Sequence, residues 1–276
     1  MSKYSKRNKQ KLNFAVCDVP AIIKDTVDTR WKNTIYNHYN DPMDLMRALN
    51  ESHNHENVQG EKAQGLLKDG QEAYANIDKY DITYDRQYED IARKVRDKLL
   101  ARGFTTKMLY GDVSFTNQKT GSLSKQRALL GKRDCYYKDA KMSDGKIFHD
   151  IVINLSYNFG VSDGKIKRNA YALYALTKEL GRLIAMRVIV VNHVGTDTPT
   201  CYSYILKKFA QPIKPKEFLF FVGEFKRTYG WYTYALLNKD NDSSTVGRPA
   251  NTVSIANFNL DTEIDSIWEY YRAKKA

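Results

Sequence analysis

The stretch from Asp150 to Val191, DIVINLSYNFGVSDGKIKRNAYALYALTKELGRLIAMRVIVV, constrains the fold most. Ile151, Val152, Ile153 and Leu155 form a nearly continuous apolar run, the pattern of a strand covered on both faces by helices. Gly160, Ser162 and Asp163 then punctuate the chain, with Asp163 in position to cap a helix. Ile166, Ala170, Leu173, Leu176, Thr177, Leu180 and Ile184 recur at helical spacing, so this helix lays an apolar stripe on a sheet and Gly181 permits close packing. Met186 to Val191, MRVIVV, reads as the next buried strand, and strand, right-handed crossover helix and parallel strand make a βαβ unit.

The flanks extend this unit. His193 to Pro199 is a turn-rich loop into Cys201 to Leu206, CYSYIL, which favours an antiparallel hairpin with the preceding strand. Helical material follows from Pro215 to Leu237, then a strand over Asn251 to Phe258 and a closing helix from Asp261 with Ile264, Ile267, Trp268 and Tyr271 on one face. Upstream, Asp41 and Pro42 open a helix carrying Met43, Leu45, Met46 and Leu49, and further helices span Glu61 to Ile77 and Tyr84 to Leu100. The last of these places Tyr84, Tyr88, Ile91, Val95 and Leu99 on its apolar face. Its bases Arg86, Arg93, Lys94, Arg96 and Lys98 are matched by Asp85, Glu89, Asp90 and Asp97 on the same helix, and Gly103 stops it. Phe104 to Phe115 changes period and reads as a strand with a bulge at Gly111. The division is a basic arm over residues 1–19, a helical N-terminal region over 20–103 packed on the core, and an α/β domain over 104–276.

Order, rather than composition, also carries a resemblance. A first strand ending in Asn154-x-Ser156-x-Asn158, a long helix, and an antiparallel hairpin of the next two strands resemble the von Willebrand factor A (VWA) fold, and more narrowly a family of uncharacterised phage-encoded proteins with a VWA-like domain. The resemblance covers about residues 104 to 276 and implies a three-layer, Rossmann-like sandwich with a mainly parallel central sheet and one antiparallel hairpin strand. In that fold the loop after the first strand is Asp-x-Ser-x-Ser and binds a divalent metal. Asn154 and Asn158 replace its first and last members here, so the loop keeps oxygens and loses its charge, whereas a hard cation such as Mg2+ usually requires a carboxylate. The resemblance offers Thr196 or Thr198 with Asp197 in the hairpin loop, or Asn257, Asn259 and Asp261 beyond the last strand, as later ligands or as the rim of a partner site.

Charge supplies the competing reading. The chain carries 44 Lys and Arg against 32 Asp and Glu, a net +12, and five of these positive charges (Lys3, Lys6, Arg7, Lys9 and Lys11) fall in the arm. Such a surface favours polyanions, nucleic acid first. Lys119, Lys125, Arg127, Lys132 and Arg133 make an uncompensated loop cluster, and Lys226 and Arg227 precede Trp231 and Tyr232, which could stack on unpaired bases.

Enzymatic constellations are missing from the sequence. No GxxxxGK[ST] or G-x-G-x-x-G spacing occurs, His149 and His193 flank the two central strands at opposite ends, and Cys201 falls within a strand. His53 and His55, two residues apart, lie on different sides of a helix and suit a solvent loop better than a metal. Cys17, Cys135 and Cys201 are too few and too widely spaced for a disulfide or zinc framework, which points to a reducing compartment. No run reaches the roughly 20 apolar residues of a membrane span. The expectation is a non-enzymatic phage protein of the host cytoplasm or the virion, without cofactor unless the loop takes Mg2+. It acts as a protein-interaction adaptor or, alternatively, as an accessory protein binding single-stranded DNA or RNA.

Overall fold

The computed structural model describes residues 35–52, 68, 71–110, 114–116, 122–123, 128–129, 136–138, 147–155, 160–194, 200–209, 211–224 and 252–275. Its centre is a five-stranded mixed sheet in the order β1-β7-β6-β5-β8, formed by β1 (Ile35–Tyr39), β5 (Ile147–Asn154), β6 (Ile184–Val194), β7 (Thr200–Lys207) and β8 (Val253–Ser254). Only the β6–β7 pairing is antiparallel; β5 runs parallel to β6 and to β8, and β1 parallel to β7. The protein is therefore α/β with a mostly parallel sheet. A separate small antiparallel sheet joins β2 (Ser114–Thr116), β4 (Tyr136–Lys138) and β3 (Ser122–Leu123) in the order β2-β4-β3.

The helices are α1 (Pro42–Ser52), α2 (Arg86–Arg102), α3 (Thr106–Tyr110), α4 (Asp163–Leu180), α5 (Pro215–Leu219), which continues as a π turn through Glu224, and α6 (Leu260–Lys275). Local chemistry sets their ends. Asp41 caps α1 by accepting the Asp44 N–H at 2.9 Å, and Asp85 caps α2 by accepting the Tyr88 N–H at 3.1 Å. Gly103 ends α2 at φ 121°, a conformation that side chains resist, and a Cβ there would stand 3.0 Å from the Trp268 ring.

The βαβ unit and the hairpin form as the residue pattern requires, with several local corrections. β5 begins three residues before Asp150, so Asp150 lies inside the strand instead of opening it, and His149 and His193 lie within β5 and β6 instead of beyond their ends. Ile184 opens β6 and does not extend the helix; Gly181 is itself the C-cap, in right-handed helical geometry, where an added Cβ would meet the Thr177 carbonyl oxygen at 3.2 Å. Ser162, not Asp163, occupies the cap position of α4, through its backbone alone. Thr106–Tyr110 is helical where a strand was expected, because Thr105 accepts the Met108 N–H through its hydroxyl and starts a turn that the alternating pattern does not reveal. The strand expected over Asn251 to Phe258 shrinks to two residues, since the Ser254 hydroxyl accepts the Asn257 N–H at 3.3 Å and turns the chain.

Two further corrections concern helix faces. Tyr84 is 92% exposed, because it precedes the Asp85 cap and does not follow the helical periodicity. The bases of α2 pair mostly with other elements: Arg96 with Glu179 of α4, and Lys98 and Arg102 with Asp261 and Asp265 of α6. Only Arg93 with Asp90 is a pairing inside the helix. The sheet also takes a strand from well before residue 104, β1, whose IYNHY reads too short and polar to announce itself.

The core explains the central role of α4. Instead of one apolar stripe, every residue from Ala170 to Thr177 is buried, since α4 rests on the sheet and is also packed by α2, α5 and the π turn. The main cluster joins Ile151, Ile153, Val188 and Val190 of the sheet to all these helices. A second cluster, Val152, Ile189, Val191, Cys201 and Ile205, occupies the opposite sheet face and is also buried. Among the described residues no helix is long and apolar enough to cross a membrane.

Candidate binding site at the carboxyl end of the sheet

Strand register brings together the residues that the loop motif singled out and others it did not. Ser254 of β8, Asn154 of β5, Val191 of β6, Ser203 of β7 and His38 of β1 stand side by side across the sheet. The row lies at the carboxyl ends of β5 and β8. Here the chain from β5 crosses by α4 to β6 on one side while β8 pairs on the other, and this switch point is where open α/β sheets collect ligands.

Alternation along β5 points Asn154 to the same face as Asp150 and Val152, and it is only 6% exposed. Ser203, on that face with Cys201 and Ile205, is 1% exposed, and a hydrogen bond of 2.9 Å joins its Oγ to His38 Nδ1. Backbone bonds hold the edge: the Leu155 N–H donates to Val191 O at 2.9 Å and the Ile255 N–H to Asn154 O at 3.2 Å. Asn169 of α4 donates its side-chain N–H to Ile255 O at 2.7 Å, fastening the segment after β8 to the helix.

The later ligands that the resemblance offered are engaged in structure. Asn259 caps α6, its side-chain oxygen accepting the Asp261 and Thr262 N–H groups at 3.0 and 3.3 Å. The Asp261 carboxylate pairs with Lys98. The edge donors that remain, Asn154 and Ser254, are neutral oxygens, which do not fit a hard dication in need of a carboxylate. Among the described residues no group of three or more His, Cys, Asp or Glu side chains is placed to hold a metal. Ser156, Asn158, Thr196 and Asp197 lie outside the described residues, as do Lys119, Lys125, Arg127, Lys132, Arg133, Lys226, Arg227 and Trp231.

Beside this edge a cavity of about 360 Å³ opens where α4 begins, lined by Lys79, Tyr80, Asp85, Gly164, Lys167, Tyr171 and Glu224 among others. Asp85 is its hub: besides capping α2 it accepts the Tyr171 hydroxyl at 2.6 Å and lies 3.8 Å from Lys167 Nζ. Burial alone would raise the Asp85 carboxyl, but the hydrogen bonds from Tyr171 and the Tyr88 N–H and the charge of Lys167 outweigh it and hold the group below the usual carboxylate range. Burial and the Asp85 charge together push the Tyr171 phenol up. Lys167 and Lys79 sit 5.2 and 5.0 Å from the rings of Tyr171 and Tyr80, so much of the charge here is matched internally.

Two polar pairs escaped the sequence reading. Arg187, 0% exposed, donates to Asp150 on the neighbouring strand through Nε at 2.5 Å and through its terminal nitrogen at 2.9 Å, with the Phe209 ring 4.8 Å from the guanidinium. One base in MRVIVV and one acid before IVIN, each alone in a buried strand, were the available signal. The His38–Ser203 bond had none, since it depends on β1 reaching the sheet. His149 and His193 stand opposite Met186 and Cys201, seven residues apart along β6 or about 23 Å at strand spacing. Cys201 is fully buried, and burial pushes its thiol up. Compared with protein-family models, with curated proteins and with solved structures, the chain matches none.

Proposed function

We propose that this chain is a non-enzymatic interaction module of VWA-like type, phage-encoded and working in the host cytoplasm or the virion, whose carboxyl sheet edge receives a protein partner. The observation that carries this reading is the pairing of Asn154 with Ser254 at the switch point, buried, polar and uncharged. The order β7-β6-β5-β8, with β7 alone reversed against its neighbour β6, supports the VWA-like assignment. A neutral edge suits hydrogen bonding to a partner backbone better than a dication, so the module works without Mg2+. The test is capture of partners from infected-cell lysate by wild type and by the Asn154→Ala/Ser156→Ala double variant, with circular dichroism verifying the fold. Partners recovered equally by both would refute the edge assignment. A rise in melting temperature with Mg2+ that Asn154→Ala abolishes would restore a metal site.

The net charge of +12 favours a second reading, a nucleic-acid accessory role through the basic arm and the Lys119–Arg133 cluster. Binding to single- and double-stranded oligonucleotides at two salt concentrations decides it. Phosphate neutralisation demands a steep loss of affinity with salt, and its absence ends this reading.

A further inference from the structure

A second cavity, of about 350 Å³, lies at the other end of the sheet, where β7 ends and α1 begins. β7 runs against β6, so its last residues lie toward the amino ends of β5 and β6, away from Asn154. Met43, Tyr74, Ile213 and Phe218 supply an apolar lining, and Met43 is 43% exposed although it opens a helix whose Leu45 and Met46 are buried. An exposed thioether at the mouth of a groove adapts to different side chains, and the Tyr74 hydroxyl lies 3.1 Å from Met43 Sδ.

The charge of this groove is one-sided. Lys207, Lys208 and Lys214 line it, against two carboxylates that are already committed: Asp41 caps α1 and Glu217 pairs with Lys214 at 2.7 Å. Lys207 is held in place, its ammonium donating to Met186 O at 2.6 Å and to Lys208 O at 3.2 Å, while Lys208 is exposed. An apolar cleft with an excess of fixed and exposed ammonium groups complements an acidic segment that carries a large apolar side chain. The aromatic geometry argues against a nucleobase. The Tyr74 ring meets Phe220 edge-on at 5.4 Å and Phe221 at a tilt at 6.0 Å, and much of the remaining lining is aliphatic, so the groove lacks the free aromatic platform on which bases stack.

We infer that this groove is a docking site for an acidic peptide segment of a partner protein, with one apolar anchor side chain seated against Met43 and Tyr74 and its carboxylates on Lys207, Lys208 and Lys214. It is independent of the carboxyl edge, and a chain with both sites bridges two partners.

The experiment uses the full chain and a fluorescein-labelled peptide, Glu-Asp-Glu-Leu-Phe-Asp-Glu, in an anisotropy titration at low salt. Binding is expected, weakened at least tenfold by Lys208→Glu/Lys214→Glu, by Met43→Asp, and by replacing Leu-Phe of the peptide with Ser-Ser. Asn154→Ala is expected to leave it unchanged, which separates this site from the carboxyl edge. The two groove variants alter exposed side chains, and circular dichroism verifies their fold. The inference is overturned if the peptide does not bind wild type, if the Ser-Ser peptide binds equally well, or if both groove variants bind like wild type. Displacement of the peptide by an oligothymidylate of equal charge at equal concentration overturns the peptide assignment.

Discussion

The two ends of strand β5 bury polar groups on the same sheet face by opposite means. Toward the amino end Asp150 meets Arg187 in a two-bond ion pair beneath Phe209; four residues on, Asn154 ends the strand beside Ser254 with no formal charge. A guanidinium with no exposure cannot leave its carboxylate without stranding a charge, so that end is fixed. Neutral amide and hydroxyl groups are cheaper to desolvate and can trade partners. The sheet is thus anchored at one end and chemically adaptable at the other, and function is assigned to the adaptable end.

Breaking the anchor gives the largest effect. Asp150→Ala is expected to cost about 3–5 kcal/mol in urea unfolding by leaving Arg187 buried and unpaired. The double replacement Asp150→Leu/Arg187→Met should recover most of that loss. If the single variant costs under about 1 kcal/mol, the contrast between the two ends collapses. At the adaptable end, Asn154→Ala should cost only about 1–2 kcal/mol, the loss of one buried hydrogen-bonding side chain, while partner capture fails.

Two smaller effects depend on pH. Tyr171→Phe removes a bond that holds the Asp85 carboxyl low, and should cost about 1 kcal/mol at neutral pH. The folded carboxyl is depressed, so this stability is present above the ordinary value of about 3.9 and is lost as pH falls from there through the lower folded value; urea midpoints of the variant and wild type should converge in acid. The smallest effect concerns His149, whose ring lies 4.6 Å from that of Tyr270 and whose pKa burial lowers, although the Asp150 charge opposes the shift. Unfolded chains take up that proton near pH 6.5 and the folded chain does so only at lower pH, so stability is full above 6.5 and declines below it. His149→Gln should flatten that decline in a series of thermal melts.

The elements legible in the sequence were those with long, regular apolar patterns. β5, α4, β6 and β7 could be read from Ile151 to Leu206 because burial imposes a period on a strand or a helix. The caps Asp41 and Asp85 could be read because capping is a local exchange between a side chain and the next turn. Elements formed by short-range competition were not. Residues 106–110 alternate like a strand and fold as a helix once Thr105 starts the turn, and Ser254 cuts β8 short. Of the candidate site, Asn154 was legible as the residue closing an apolar strand. Ser203 and His38 were not, being 165 residues apart and meeting only through β1.

The sequence alone determined that a crossover helix joins two parallel buried strands, since apolar periodicity and the handedness of the crossover admit little else. It also determined that the loop after the first strand carries no formal charge. Tertiary structure decided what that strand stands beside. Register set Arg187 against Asp150 and Ser254 against Asn154, and β1 arrived from the far N-terminal side to complete the row. Pairing across a sheet is chosen by backbone hydrogen bonds and whole-face burial between distant segments, and no local pattern encodes which residue will face which.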